Sequence, residues 1–362
     1  MTELESLVAL NILTEIGSRK ISSLLEYFDK PQNIFGAGEK ELIAAGLSPE
    51  NARAIKSFDF KRIDLEFSLA RKAGISFIAL GKEGYPENLK EIPGAPIVLY
   101  VKGSLLPADK KAIAVVGSRK ASFYGLSNAA EFGFKLASLG FTVISGLARG
   151  VDTQSHKGAL RSGGRTIAVI GSGLNELYPA ENKELAEEIS RNGCVISEFP
   201  LHARPLACNF PRRNRLISGL SQGVLVVEAA QNSGALITAG FALEQGREVF
   251  AIPGKIDSPN SSGTNGLIKD GAKMVTALDD ILEEFPPALV CAIPDTAQES
   301  GVGEDIPLEQ KLQSLITDRA IELDELMERT NANLTSVYHA LFNLLAQGRV
   351  KQLAGKQFVR HS

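Results

Sequence analysis

The sequence predicts an α/β protein: a doubly wound parallel sheet with a small helical domain before it and a winged helix after it. From Ile113 to Ile252, short β-branched apolar runs alternate with amphipathic helical stretches, and the turns after those runs are rich in glycine, serine and arginine. Residues 1–62 carry helical periodicity and little strand character, and an aperiodic stretch at 286–307 sets off a last segment of helices and a hairpin.

In chain order, the helical front contains two segments that can be laid over each other, Glu15 to Ile21 and Gly46 to Ala52, each a tight turn leading into a helix. They resemble helix-hairpin-helix units, whose turn amides grip a DNA backbone without reading bases. A plain helical interaction domain accounts for them equally, and the negative charge of the region favours it. A helix to Ala73 leads to a strand at Ile75 to Leu80, a turn at Gly84-Tyr85-Pro86, and a strand at Ile97 to Val101. These two strands are expected to extend the main sheet.

The next unit, Ile113 to Asp152, is strand, glycine turn, helix, strand. It places Gly117-Ser118-Arg119 and Ser145-Gly146 at the carboxyl edge of a parallel sheet, where ligands of open α/β sheets bind next to helix N-termini. The dinucleotide fingerprint G-x-G-x-x-G is replaced here, with Arg119 where the backbone would approach a pyrophosphate, so the turn suits phosphate but not NAD. Helices at 151–161, 182–191, 213–220 and 236–245 then alternate with strands at 166–170, 194–197, 224–227 and 248–252.

Residues 286–307 read as a flexible linker. Beyond them, 308–362 reads as helix-turn-helix plus wing, but Ser336, Tyr338, His339 and Asn343 on the would-be recognition helix carry no positive charge. Protein interaction is therefore favoured there over duplex reading.

Composition is that of an ordinary globular chain, with 44% hydrophobic and 22% charged residues and a formal net charge of −3. A polyanion would have to be held by a local basic patch. The three cysteines, Cys194, Cys208 and Cys291, lack disulfide or metal-ligand spacing, and no apolar stretch approaches a membrane span. With an acidic start in place of a signal peptide, a cytoplasmic protein without membrane, metal or cofactor is expected.

The densest cationic run is His202 to Arg215, with Arg204, Arg212, Arg213 and Arg215 and no acid. Guanidinium groups interleaved with Phe210 and Asn214 suit a single strand, because arginines hold phosphates while an aromatic face stacks a base. The alternative is internal pairing with Glu198 and Glu228. Both uses fit one run if Arg215 is structural and Arg212 or Arg213 faces outward.

Five motifs occur in register across Ile113 to Ala272. They are Gly117-Ser118-Arg119, Ser145-Gly146 through Val151-Asp152, Phe210-Pro211 through Ser218, Ser233-Gly234 with Thr238-Ala239, and Pro253-Gly254 with Gly263-Thr264-Asn265. Together they resemble the DNA-processing protein A (DprA, or Smf) family. That resemblance also takes in the front domain, here SAM/helix-hairpin-helix-like, and the winged helix. It implies an extended Rossmann-like fold that binds single-stranded DNA without catalysis, dimerises, and loads RecA recombinase onto incoming strands during natural transformation. Carried over by position, it implies a DNA site of Gly117, Ser118, Arg119, Ser145, Gly146, Phe210, Arg213, Asn214 and Arg215. Some relatives place a lysine where this chain has Ala207-Cys208-Asn209, a charge that Arg204 or Arg212 would have to supply.

The rival reading is a nucleotide-binding or nucleotide-hydrolysing enzyme, similar to the phosphoribohydrolases of this fold. Their P-G-G-x-G-T loop is split here between Pro253-Gly254 and Gly263-Thr264. His156 follows Asp152 by one helical turn, but a helix-capping aspartate beside a polar histidine explains that spacing without catalysis. Glu228 reads as an acid holding the arginines. The domain boundaries expected are thus 1–62, 63–285, 286–307 and 308–362.

Overall fold

The computed structural model describes residues 1–286, 308–317, 319–330, 332, 334–353 and 357–360. They form two compact units, Met1–Ile281 and Leu282–Ser362. The first opens with six helices: α1 (Glu3–Ile12), α2 (Ser18–Phe28), α3 (Pro31–Gly36), α4 (Glu39–Ala44), α5 (Pro49–Lys56) and α6 (Lys61–Ala73). Thr2 and Glu5 form a capping box that starts α1, and the left-handed Gly74 ends α6. These helices, expected as a domain over 1–62, share one core with the sheet. Leu10, Leu24, Ile34, Leu42 and Ile55 cluster with Ile97, Val98, Tyr100 and Leu201.

The sheet has nine strands: β1 (Ile75–Ala79), β2 (Val98–Gly103), β3 (Ala112–Val116), β4 (Thr142–Ser145), β5 (Thr166–Val169), β6 (Cys194–Ser197), β7 (Gly223–Val226), β8 (Glu248–Ala251) and β9 (Lys273–Met274). Their order is β1-β2-β6-β5-β4-β3-β7-β8-β9. Strands β3 to β9 are parallel, with Ile113 opposite Val143 on one side and Gly223 on the other. The two front strands extend this sheet but run antiparallel, β2 pairing β6 with Tyr100 opposite Ser197. The sheet is therefore mostly rather than wholly parallel.

The helices between and after the strands are α7 (Glu87–Lys90), α8 (Phe123–Ser138), α9 (Val151–Arg161), α10 (Lys183–Asn192), α11 (Asn209–Leu220), α12 (Gly234–Glu244), α13 (Ser262–Lys269) and, beyond β9, α14 (Asp279–Leu282). Helix α11 starts four residues before the expected Arg213. Pro211 lies in its first turn, where the missing N–H costs nothing, so Phe210 and Arg212 are helical. The chain winds outward from β3 through β4, β5 and β6, then returns to β7 on the other side of β3. Connections leaving β3 and β7 diverge, which opens a crevice at their carboxyl ends.

In the second unit, α15 (Leu308–Leu315), α16 (Leu323–Thr330) and α17 (Leu334–Ala346) accompany a three-stranded sheet of β10 (Ile321–Glu322), β11 (Val350–Leu353) and β12 (Gln357–Arg360). Leu312, Leu326, Val337, Leu341 and Phe358 form its core. The expected linker lies outside the described residues except for Pro286.

Helices α8 and α9 approach backbone to backbone at two glycines. A Cβ on Gly133 would stand 2.4 Å from the Ser155 carbonyl oxygen, and one on Gly158 only 2.1 Å from that of Ala130. Gly158→Ala is expected to lower stability by about 1–3 kcal/mol through overpacking, read as a shift of the urea midpoint followed by circular dichroism. An unchanged midpoint would mean that the helices have room to part.

Candidate nucleic-acid interface

The crevice at the ends of β3 and β7 is a hollow of about 340 Å³, lined among others by Gly117, Ser118, Arg119, Phe210, Asn214 and Gly234. Its floor is the turn after β3. Ser118 N donates to the Glu228 carbonyl at 2.7 Å, and the Glu228 carboxylate accepts from Ser122 N at 2.8 Å. Glu228 therefore braces the turn, not the arginine cluster as expected from the sequence. Helix α12 opens onto the same hollow, with Ser233 capping its N-terminus and accepting from Ala235 N at 3.3 Å. A helix N-terminus facing a cavity favours anions.

The loop after β4 forms the next wall. Gly150 has φ +78°, and a Cβ there would stand 2.3 Å from the Ser118 carbonyl oxygen, so only glycine lets the two loops touch. Leu147 also has positive φ, +57°, and is fully buried, its carbonyl accepting from Asn182 Nδ2 at 2.8 Å. Asp152 accepts from Gly146 N and Ala148 N, each at 3.2 Å, while Arg213 Nη1 donates to Gly146 O at 2.7 Å and to Val169 O. The loop is thus gripped at its N–H groups by an acid and at its carbonyl by a base. Burial raises the Asp152 carboxyl above its ordinary value, opposed by Arg213, and burial pushes the Arg213 guanidinium down to about 10.

Arg213 is accordingly not a surface contact, contrary to expectation: it is 4% exposed and spends its donors on strand-end carbonyls and on Asn214 Oδ1. Ser145 is also interior, its hydroxyl donating to Val115 O at 2.7 Å. Gly146 lies at the edge of an adjoining hollow, and Asn214 Nδ2 donates to Gly234 O at 3.2 Å. Arg215 is structural, forming an ion pair with the buried Glu198. Arg204 and Arg212 turn away from this crevice to line a different hollow beside the front helices.

What remains open to a ligand is Arg119 and Phe210. The Arg119 guanidinium lies 5.2 Å from the Phe210 ring centroid, and Tyr178 meets that ring edge-on at 5.9 Å. Both Arg119 and Phe210 also border the adjoining hollow of about 250 Å³, with Lys120, Arg149 and Tyr178. A cation beside an aromatic ring keeps its outward N–H groups free for phosphate, and the exposed part of the ring can meet a base. Sequence reasoning missed Tyr178 and Lys120. The Tyr-Pro step shortly after β5 and the lysine following Arg119 were the available signals.

His156, expected as a polar neighbour of Asp152, is fully buried with Nδ1 2.6 Å from Thr166 Oγ1, and burial pushes its imidazole down to about 3. A proton-shuttling role near neutral pH does not fit a ring held neutral. Asp152 braces the loop rather than capping α9, whose N-cap residue is Gly150.

The family model described as DNA recombination-mediator protein A matches residues 76–286. The chain is 41% identical to Protein Smf of Escherichia coli (strain K12) over 316 residues, 86% of this chain and 84% of that protein. It is similar to the X-ray structure of DNA processing protein A from Streptococcus pneumoniae, with TM-score 0.70 and 36% identity, covering 79% of this chain and 99% of the other. DNA processing protein A from Helicobacter pylori, a structure described for its single-stranded DNA binding mode, matches with TM-score 0.53 and 27% identity over 58% and 94%.

Arg213→Ala leaves two buried carbonyls without their donor and the buried Asp152 carboxylate without its compensating charge. It is expected to cost about 3–5 kcal/mol of stability, measured by denaturant titration; a cost under about 1 kcal/mol, as for an exposed pair, would overturn the bracing role. For His156, the unfolded chain takes up a proton below about pH 6.5 while the folded chain does not. Stability should therefore fall as pH drops from about 6.5 towards 3, this group contributing at most about 1.4 kcal/mol per pH unit. His156→Asn should lack that part of the slope; identical pH profiles would refute the assignment.

Proposed function

The chain belongs to the DNA recombination-mediator protein A family, and from that premise we propose that its crevice holds single-stranded DNA. The observation that carries this reading is the Arg119 guanidinium over the Phe210 ring at the mouth of a hollow faced by a helix N-terminus. Phosphate goes to Arg119, Lys120 and the α12 end, and an unpaired base to Phe210 and Tyr178. A duplex offers the same phosphates but keeps its bases stacked, so the aromatic pair supplies the preference and the cations the affinity.

In this reading the protein is a mediator rather than a catalyst, delivering its strand to the RecA recombinase in natural transformation. Glu228 supports the non-catalytic role, since its carboxylate is engaged by the backbone of the phosphate turn. Turnover of AMP that disappears in Glu228→Ala would contradict it. A homodimer fits the exposed apolar side chains of Ile237, Leu243 and Met274. The second unit fits a winged helix acting as a protein-interaction module.

Arg119→Ala should weaken binding of fluorescent oligo(dT) and lower the slope of log affinity against log salt by about 0.7, the value for one single-strand phosphate contact. Phe210→Ala should cost about 1–3 kcal/mol per stacked base with the slope nearly unchanged. Arg119→Ala with wild-type affinity and slope, in a protein folded by circular dichroism, would place the DNA elsewhere.

A further inference from the structure

Behind the first turn of α11 lies a larger hollow, about 510 Å³, between the helical front and the loop after β6. Arg62 from α6 and Arg204 and Arg212 from the arginine-rich run line it. Among the described residues no carboxylate is in ion-pairing distance of Arg204 or Arg212, and Arg62 likewise has none. Two acids share the lining: Glu66, buried, accepts from Leu201 N at 2.7 Å, and Glu15 is exposed. His202, at the rim, pairs with Glu176. Cations without ion-pair partners outnumber the one exposed acid.

The two hollows are built alike. Arg212 lies 5.3 Å from the centroid of Phe199, as Arg119 lies 5.2 Å from that of Phe210. The difference is burial: Phe199 is 2% exposed and offers no ring face, while Leu65 and Leu206 are 59% and 55% exposed. Such a site holds a strand by phosphates and by loose apolar contact, not by stacking. Residue 210 faces the crevice and residue 212 faces this second hollow, so a chain of phosphates passing over the start of α11 meets both.

We propose that the hollow of Arg62, Arg204 and Arg212 is a second, stacking-free phosphate site that holds the continuation of the strand bound at Arg119. The helical front thereby becomes part of the nucleic-acid interface. This rests on the crevice being the single-strand site. The chemistry favours a phosphodiester chain over an acidic peptide because the hollow continues a path that starts on phosphate-binding elements.

The test compares fluorescent oligo(dT) of about 6 and about 25 nucleotides, bracketing a single site and a longer track. Wild type, Arg119→Ala, the triple variant Arg62→Ala/Arg204→Ala/Arg212→Ala and the matching triple lysine variant are each titrated across salt. The triple alanine variant should bind the short oligonucleotide like wild type. It should lose about tenfold or more on the long one, with the salt slope lowered by about 0.7 for each contact removed. The triple lysine variant should keep most of the long-strand affinity, which separates lost charge from lost packing. Long-strand binding unchanged in the triple alanine variant, with Arg119→Ala weakened, overturns the second site and leaves the crevice standing. Equal losses on both lengths also overturn it, by merging the two sites. Arg119→Ala without effect on either length refutes the crevice itself.

Discussion

Arg213 and Asp152, gripping the backbone of one loop from two sides, fix the geometry on which the rest of the crevice depends. Strand ends leave carbonyls and N–H groups without ladder partners, and burying them unpaired is costly. Arg213 takes the carbonyls at the ends of β4 and β5, and Asp152 takes the N–H groups of the loop between β4 and α9. Both ions are removed from water, which is favourable only because each has several partners. Since Arg213 sits one turn into α11, its hold on the strand ends also anchors Phe210 against Arg119. Two buried charges that grip one loop from opposite sides thus set the position of a surface cation.

The arginine-rich run shows how a helix divides one composition among several tasks. Consecutive residues on a helix point about 100° apart, so Arg213 is turned away from Arg212 and Arg215, which stand three apart as neighbours on another face. Arg213 goes into the sheet edge, Arg215 to the buried Glu198, and Arg212 across Phe199 towards the front helices. Burial lowers the affinity of the Arg215 guanidinium for its proton and raises that of Glu198, each opposed by the other. A run of positive charge in a sequence is therefore a poor guide to how much of it meets solvent.

That division also marks the limit of what the residues alone disclose. The alternation of β3, α8, β4 and α9 and the placing of Gly117, Ser118 and Arg119 at a carboxyl edge follow from local periodicity and turn chemistry, which a short window contains. The antiparallel β2 and the shared core of the front helices depend on pairings between distant segments, Tyr100 with Ser197 for example. The interior places of Ser145 and Arg213 depend on acceptors, Val115 O and Val169 O, that no spacing reveals. The start of α11 was obscured by Pro211, which reads as a breaker unless the first turn of the helix is already located. Glu228 fits the same pattern: its charge suggested the arginines, but its nearest donor is the backbone of Ser122.

The close approach of α8 and α9 at Gly133 and Gly158 has a consequence for association. The two loops that form the crevice floor and wall lead directly into these helices, at Ser122 and Gly150. With their backbones in contact, the helices act as one block, and the loops they carry are preorganised. A flexible chain docking there gives up its own freedom, but the protein has little left to lose. The conformational entropy that usually taxes recognition of a disordered partner is confined to the ligand.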